Sequence, residues 1–142
     1  MPPTLSSRRA KLGQLTQSVA QLTEIFLQRD ALLPGSVYVS RRRCGKPNCR
    51  CVRGHLHQTE VLSYRGGSRP QNVTPQPGEL EAFKKWTEAY RRFRQARAQL
   101  VKLHQQMMQV IDAIEAERVR QGTKKFQALR RSASSPKSPN KR

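Results

Sequence analysis

The chain has 142 residues, with 28 Lys or Arg against nine Asp or Glu, a formal net charge of +19, 35% hydrophobic and 6% aromatic content. That length is one domain's worth, the apolar fraction excludes a large single core, and so strong a charge on so small a body makes nucleic acid the default partner. With no run of eighteen apolar residues there is no membrane span, and Met1-Pro2-Pro3-Thr4 lacks the apolar core of a secretory signal, so cytoplasmic residence and reduced thiols are expected.

Residues 1–33 read as an N-terminal amphipathic helix. Thr4 to Ser7 offer caps, and Leu12, Leu15, Val19, Leu22, Phe26 and Leu33 recur at steps of three and four, with Arg29 in the missing place. The helix is expected over about residues 5–32, as a packing helix, and Pro34-Gly35 stops it.

Residues 34–78 read as a zinc-binding β module. Gly35 to Ser40 is short, β-branched and aromatic, a first strand. Thr59 to Tyr64 forms the second, Arg65-Gly66-Gly67-Ser68 a tight turn, and Arg69 to Thr74 the third, giving a three-stranded antiparallel sheet. Between the first two strands lies Cys44-Gly45-Lys46-Pro47-Asn48-Cys49-Arg50-Cys51, followed by His55 and His57; all three cysteines and two of the three histidines are here. Three thiolates and an imidazole within fourteen residues supply a closed tetrahedral Cys3His site for Zn2+. Gly45 and Lys46-Pro47-Asn48 favour the turn that returns Cys44 toward Cys49 and Cys51, and an extended Cys49–Cys51 segment would put both thiols on one face. The fourth ligand is His57 or His55; His55 follows Gly54 at the expected turn, which favours His57. A disulfide with an odd thiol, or an iron–sulfur centre, fits the cysteine count and the setting less well. A sheet this small is marginal alone, so a structural metal would add the free energy its core lacks.

Residues 79–122 read as a long amphipathic helix, opened by Glu79, Leu80 and Glu81 after Pro75, Pro77 and Gly78. Phe83, Trp86, Tyr90, Phe93, Leu100, Met107, Ile111 and Ile114 form a seam at three-four steps, with Arg97 and His104 as polar seam positions that specify register. The first helix is its expected partner, in a helical hairpin or coiled coil, with a homodimer through the long helix as the alternative. Residues 123–142 read as a disordered basic tail, rich in Ser and Pro. The fold class is therefore α+β.

The charge is concentrated. Residues 41–78 hold eight basic residues against one acidic, and residues 122–142 seven against none. Arg41, Arg42, Arg43, Lys46, Arg50 and Arg53 crowd the metal loop, Arg65 and Arg69 flank the hairpin turn, Arg91 and Arg92 lie on the long helix, and Lys124 and Lys125 begin the tail. These are the candidate nucleic-acid contacts, to DNA or RNA, and arginine's fork suits bidentate phosphate or guanine contact. Tyr38, Tyr64 and His55 are candidates for base stacking. No recognition-helix motif, Gly-rich phosphate loop or Ser/His/Asp arrangement is present, and Glu60 is the only acidic residue near the cysteines, so a non-enzymatic protein is expected. Redox sensing by Cys49 and Cys51 would require thiols free of metal and low in pKa.

At Pro34-Gly35-Ser36, Arg43-Cys44-Gly45-Lys46-Pro47-Asn48-Cys49-Arg50-Cys51, Leu56-His57, Leu62-Ser63-Tyr64-Arg65-Gly66-Gly67 and Trp86…Tyr90-Arg91-Arg92-Phe93, the sequence resembles a family of small, uncharacterised bacterial proteins often encoded beside transposases. The resemblance spans about residues 33–115, implies a mobile-element context and singles out His57 as the fourth ligand. Gln58-Thr59-Glu60 departs from the glycine, proline and aromatic residue usual after that histidine, and the basic tail lies outside the match. The expected function is thus an accessory or regulatory nucleic-acid-binding protein of a mobile element; the alternative is an adaptor whose helices bind a transposase or other nuclease.

Overall fold

A computed structural model describes residues 1–134; the disorder expected for the last eight residues of the tail lies outside the described residues. In chain order come helix α1 (Leu5–Phe26), strand β1 (Gly35–Arg42), a single 3-10 turn (Arg50–Arg53), strands β2 (His57–Tyr64) and β3 (Gln71–Val73), and helix α2 (Leu80–Ser134). The fold is α+β, as expected. Two compact units divide the chain, Leu22–Gln99 and Met1–Gln21 with the residues from Leu100 onward.

The Leu22–Gln99 unit holds the sheet, ordered β1-β2-β3 and antiparallel throughout. In the β1–β2 ladder Gly35 stands opposite Tyr64 and Arg42 opposite His57, so the hairpin is paired from end to end up to the cysteine loop. The central strand β2 carries the buried pair Val61 and Leu62. In the same unit Leu22, Thr87 and Ala96 are buried, and Phe26 meets Phe93 edge-on with ring centroids 5.1 Å apart. Such a pair adds about 0.5–1.5 kcal/mol to the area it buries.

In the other unit α1 begins on a capped turn: Thr4 Oγ1 accepts the Ser7 N–H at 3.1 Å. Leu15 and Leu103 are buried there, and Arg8 Nη1 donates to the Ala113 carbonyl at 3.0 Å.

Three expectations are corrected. Helix α1 stops at Phe26, not at residue 32: the Gln28 N–H turns back to Ile25 at 3.4 Å, and by Leu33 the backbone is tied elsewhere, its N–H donating to the Trp86 carbonyl at 3.1 Å. Leu33 is therefore off the helix whose periodicity it extends. The seam of α2 runs through Phe93, Ala96, Leu100, Leu103, Met107, Val110 and Ile114, all buried or half-buried, while Arg97, His104 and Ile111 are exposed. No polar side chain interrupts that seam, because alternating steps of three and four from Phe93, taken three first, land on Ala96 and Leu103 instead. Finally, α2 continues to Ser134, so residues 123–134, expected as tail, are helical.

Candidate metal centre

Past Arg42 the chain leaves the sheet, and each turn of the excursion has a local cause. Gly45 adopts φ +79°, and the Cys49 N–H closes back on the Lys46 carbonyl at 3.3 Å. Cys49 is itself extended (φ −83°, ψ 146°) and caps the 3-10 turn Arg50–Arg53. Gly54 ends that turn at φ +100°, a conformation costly for any residue with a Cβ, and its N–H returns to the Cys51 carbonyl at 3.3 Å. The chain then rejoins β2 at His57. The extended Cys49–Cys51 segment expected from the two-residue spacing is thus replaced by a cap followed by a 3-10 turn. Curling the backbone brings the two sulfurs together as alternation on a strand would have done.

The result is one cluster. Cys44, Cys49, Cys51 and His57 each offer a ligand atom, all within 4.8 Å of one another. Cys44 Sγ lies 3.5 Å from Cys51 Sγ, and Cys49 Sγ lies 3.0 Å from His57 Nε2. Zinc–sulfur bonds of about 2.3 Å at tetrahedral angles put sulfurs about 3.7 Å apart, so the spacing fits the donor set of such an ion. All three cysteines are free, and a disulfide would need about 2.05 Å between sulfurs. Cys51 is fully buried while Cys44 and His57 are exposed, an anchor beneath an open rim.

The electrostatics favour one thiolate in particular. The Cys44 N–H donates to Cys51 Sγ at 3.4 Å, and this bond is the main reason the Cys51 thiol is held below its ordinary pKa; burial opposes it, and the thiols of Cys44 and Cys49 add to the lowering. For Cys44 the largest influence, the Lys46 backbone N–H, lowers the pKa, but Cys49, Cys51 and desolvation together outweigh it and the net shift is upward. Three sulfurs this close cannot all be anionic without a cation among them.

The structure places the cationic candidates as follows. Arg41 and Arg42 end β1, Arg43 and Lys46 border Cys44, and Arg50 and Arg53 bound the 3-10 turn; all six are exposed, as are Arg65 and Arg69. None of the eight makes an ion pair among the described residues. Arg91 differs: Glu88 grips it through two hydrogen bonds, at 3.1 and 2.7 Å, which holds the Glu88 carboxyl below its usual range. Arg92 is exposed on α2, and Lys124 and Lys125 are exposed in the other unit. An open groove of about 1180 Å³ lies between the start of β1 and α2, lined by Arg65, Lys84, Lys85, Arg91 and Arg94 together with Glu81 and Glu88. Lys84 and Lys85, which also reach Glu60 and Asp30 at 3.6 and 3.8 Å, were legible only by projecting charge onto a helical face, where 84, 88, 91 and 95 align. Tyr38 is exposed at the β1 edge and Tyr64 half-buried at the end of β2.

A family model described as Domain of unknown function (DUF6788) is similar to residues 5–74, just under half of the chain, running from the start of α1 through β3 and taking in all four residues of the cluster. No curated protein and no solved structure matches the chain. Among the described residues no helix is long and apolar enough to cross a membrane.

Proposed function

We propose that this chain is a zinc-stabilised, non-catalytic protein that binds DNA or RNA through the cationic rim of its Cys3His module, as an accessory or regulator of a mobile genetic element. The observation that carries this reading is the rim itself. Six cations stand within thirteen residues at Arg41, Arg42, Arg43, Lys46, Arg50 and Arg53, every one exposed and none matched to a carboxylate among the described residues. Unmatched guanidinium groups on a metal-fixed loop are preorganised for phosphate, since ordering cost is met by the fold rather than on binding. The groove between the start of β1 and α2 is a second cationic surface at the other end of that strand, and the Cys3His cluster positions the loop that carries the rim. The mobile-element context rests on the signature at residues 43–57 and its neighbours.

The test is affinity for single-stranded and duplex DNA and RNA across a salt series. Six phosphate contacts give a log–log slope of about −4 to −5, and replacing Arg41, Arg42 and Arg43 with Ala reduces its magnitude by about 2–3. Binding that is insensitive to salt, or unaltered by the triple replacement, would sink the proposal. The rival adaptor reading is favoured by one observation, the exposed apolar residues along the end of α2. It expects capture of a partner protein that survives the same triple replacement.

A further inference from the structure

Helix α2 carries a second apolar stripe that nothing among the described residues covers. Val101, His104, Met108, Ile111, Glu115, Val119, Gly122, Phe126, Leu129 and Ala133 succeed one another at steps of three and four, which places them on one face, and all are exposed. Phe126 is 63% and Leu129 71% exposed, and every residue from Arg118 to Ser134 lies open. This face stands about a third of a turn away from the Ala96–Leu103–Val110 seam, so the helix has two faces to bury and buries one. The stretch contains a single extra residue relative to a strict heptad, between Ile111 and Val119, as an eleven-residue repeat allows.

We propose that this stripe pairs with the same stripe of a second copy, antiparallel, about a twofold axis near Arg120 and Gln121. In that register the residues facing each other have numbers summing to about 241, which pairs the stripe with itself from Met108 to Ala133. Val119 meets Gly122 next to the axis, where the missing side chain lets the backbones approach. Ile111 meets Leu129, Met108 meets Ala133, and Glu115 lies against Phe126 and beside Lys125. Gly122 and Ala133 therefore make room for Val119 and Met108, while Ile111 and Leu129 pack as an apolar pair.

Charge decides the direction. Asp112 and Arg130 lie on the same flank of the stripe, and an antiparallel pair with this register sets Asp112 of one copy beside Arg130 of the other, twice per dimer. A parallel pair could not make this contact, because Asp112 and Arg130 lie about 27 Å apart along the helix and each would face the partner's opposite flank. A nucleic-acid backbone would satisfy the flanking cations but leave Phe126 and Leu129 in water, which is why a second copy is the occupant assigned. The pairing stands independently of the nucleic-acid reading.

The experiment is light scattering on the full chain after nuclease treatment, at about 0.15 M salt, over a wide concentration range. The expected mass is twice 16.3 kDa. Phe126→Glu with Leu129→Glu, both at exposed sites, should give a monomer of unchanged helical content by circular dichroism. Asp112→Arg and Arg130→Asp should each weaken the dimer about tenfold, and the two together should restore it. The two positions are about 27 Å apart along one helix, so rescue can arise only between copies. A mass of one chain at every concentration would overturn the proposal and assign the stripe to a different protein's helix. A dimer untouched by the Phe126 and Leu129 replacements would place the contact elsewhere, and failure of the double exchange to rescue would overturn the antiparallel register.

Discussion

His57 and His55 are two residues apart, both exposed, yet their roles separate on geometry: His57 Nε2 lies 3.0 Å from Cys49 Sγ, whereas His55 contributes a backbone N–H to the Arg50 carbonyl at 3.3 Å. Replacement of His57 by Ala should abolish stoichiometric zinc, read by elemental analysis of natively purified protein, while His55→Ala should retain one ion per chain. Equal loss in both would remove His57 from the ligand set. Cys51 is the residue on which the cluster is built, since it is fully buried and receives the Cys44 N–H. These ligands were readable from the sequence because they are local; fourteen residues hold all four, and turn-forming residues between them leave few ways to arrange them. The conformation that joins Cys49 to Cys51 was not readable. A two-residue spacing is satisfied equally by a strand and by a cap with a 3-10 turn, and the choice falls to backbone hydrogen bonds from Val52, Gly54 and His55.

At the scale of elements, the β1–β2 hairpin begins at a point of close backbone approach. A side chain at Gly35 would collide with the Ser63 carbonyl oxygen, a backbone atom inside the ladder that has nowhere to move. Gly35→Ala should therefore cost about 2–3 kcal/mol of stability. Gly13, in the middle of α1 with open space around it, should behave oppositely: Gly13→Ala stabilises by about 0.5–1 kcal/mol through backbone entropy. Denaturant titration of the two variants checks both signs at once. The strands were legible because β-branched and aromatic residues cluster between Gly/Pro punctuation. The helix faces were legible only in part. Leu100, Met107 and Ile114 belong to both readings of the α2 seam, but the residues between them, Arg97 or Ala96, His104 or Leu103, differ by one position, and a helix with apolar residues on two faces offers two interleaved three-four patterns. Residues 123–134 read as tail from their charge, although Lys124, Lys125, Gln127, Ala128 and Leu129 are all good helix formers.

For the whole molecule, the buried residues are few: Leu15, Leu22, Cys51, Val61, Leu62, Thr87, Ala96 and Leu103 among the described ones. With a core this sparse, an ion held by the Cys3His cluster would supply much of the β module's stability. Chelation should lower the thermal midpoint by about 10 °C or more and remove the strand signal first. Ligation requires thiolates and a neutral imidazole, so metal retention should fall as pH falls. The metal-free protein should depend on pH more weakly. The lowered Cys51 pKa contributes stability above the thiol's unfolded value that is lost as pH falls; the raised Cys44 pKa contributes below it and is lost as pH rises, and the two oppose. Melting curves at several pH values, with and without chelator, separate the two regimes. The pairing of Arg42 with His57 adds a matter of timing. That rung is the last of the β1–β2 ladder and also the hinge between Cys44 and its histidine partner, closing an excursion of fourteen residues. The hairpin cannot fray from that end without parting His57 from the three cysteines, so an ion held by all four would keep the last rung of the ladder closed. The residence time of such an ion would then set the time for which one end of the sheet stays shut, and its binding would complete the slow entropic step of joining two strands across a long loop.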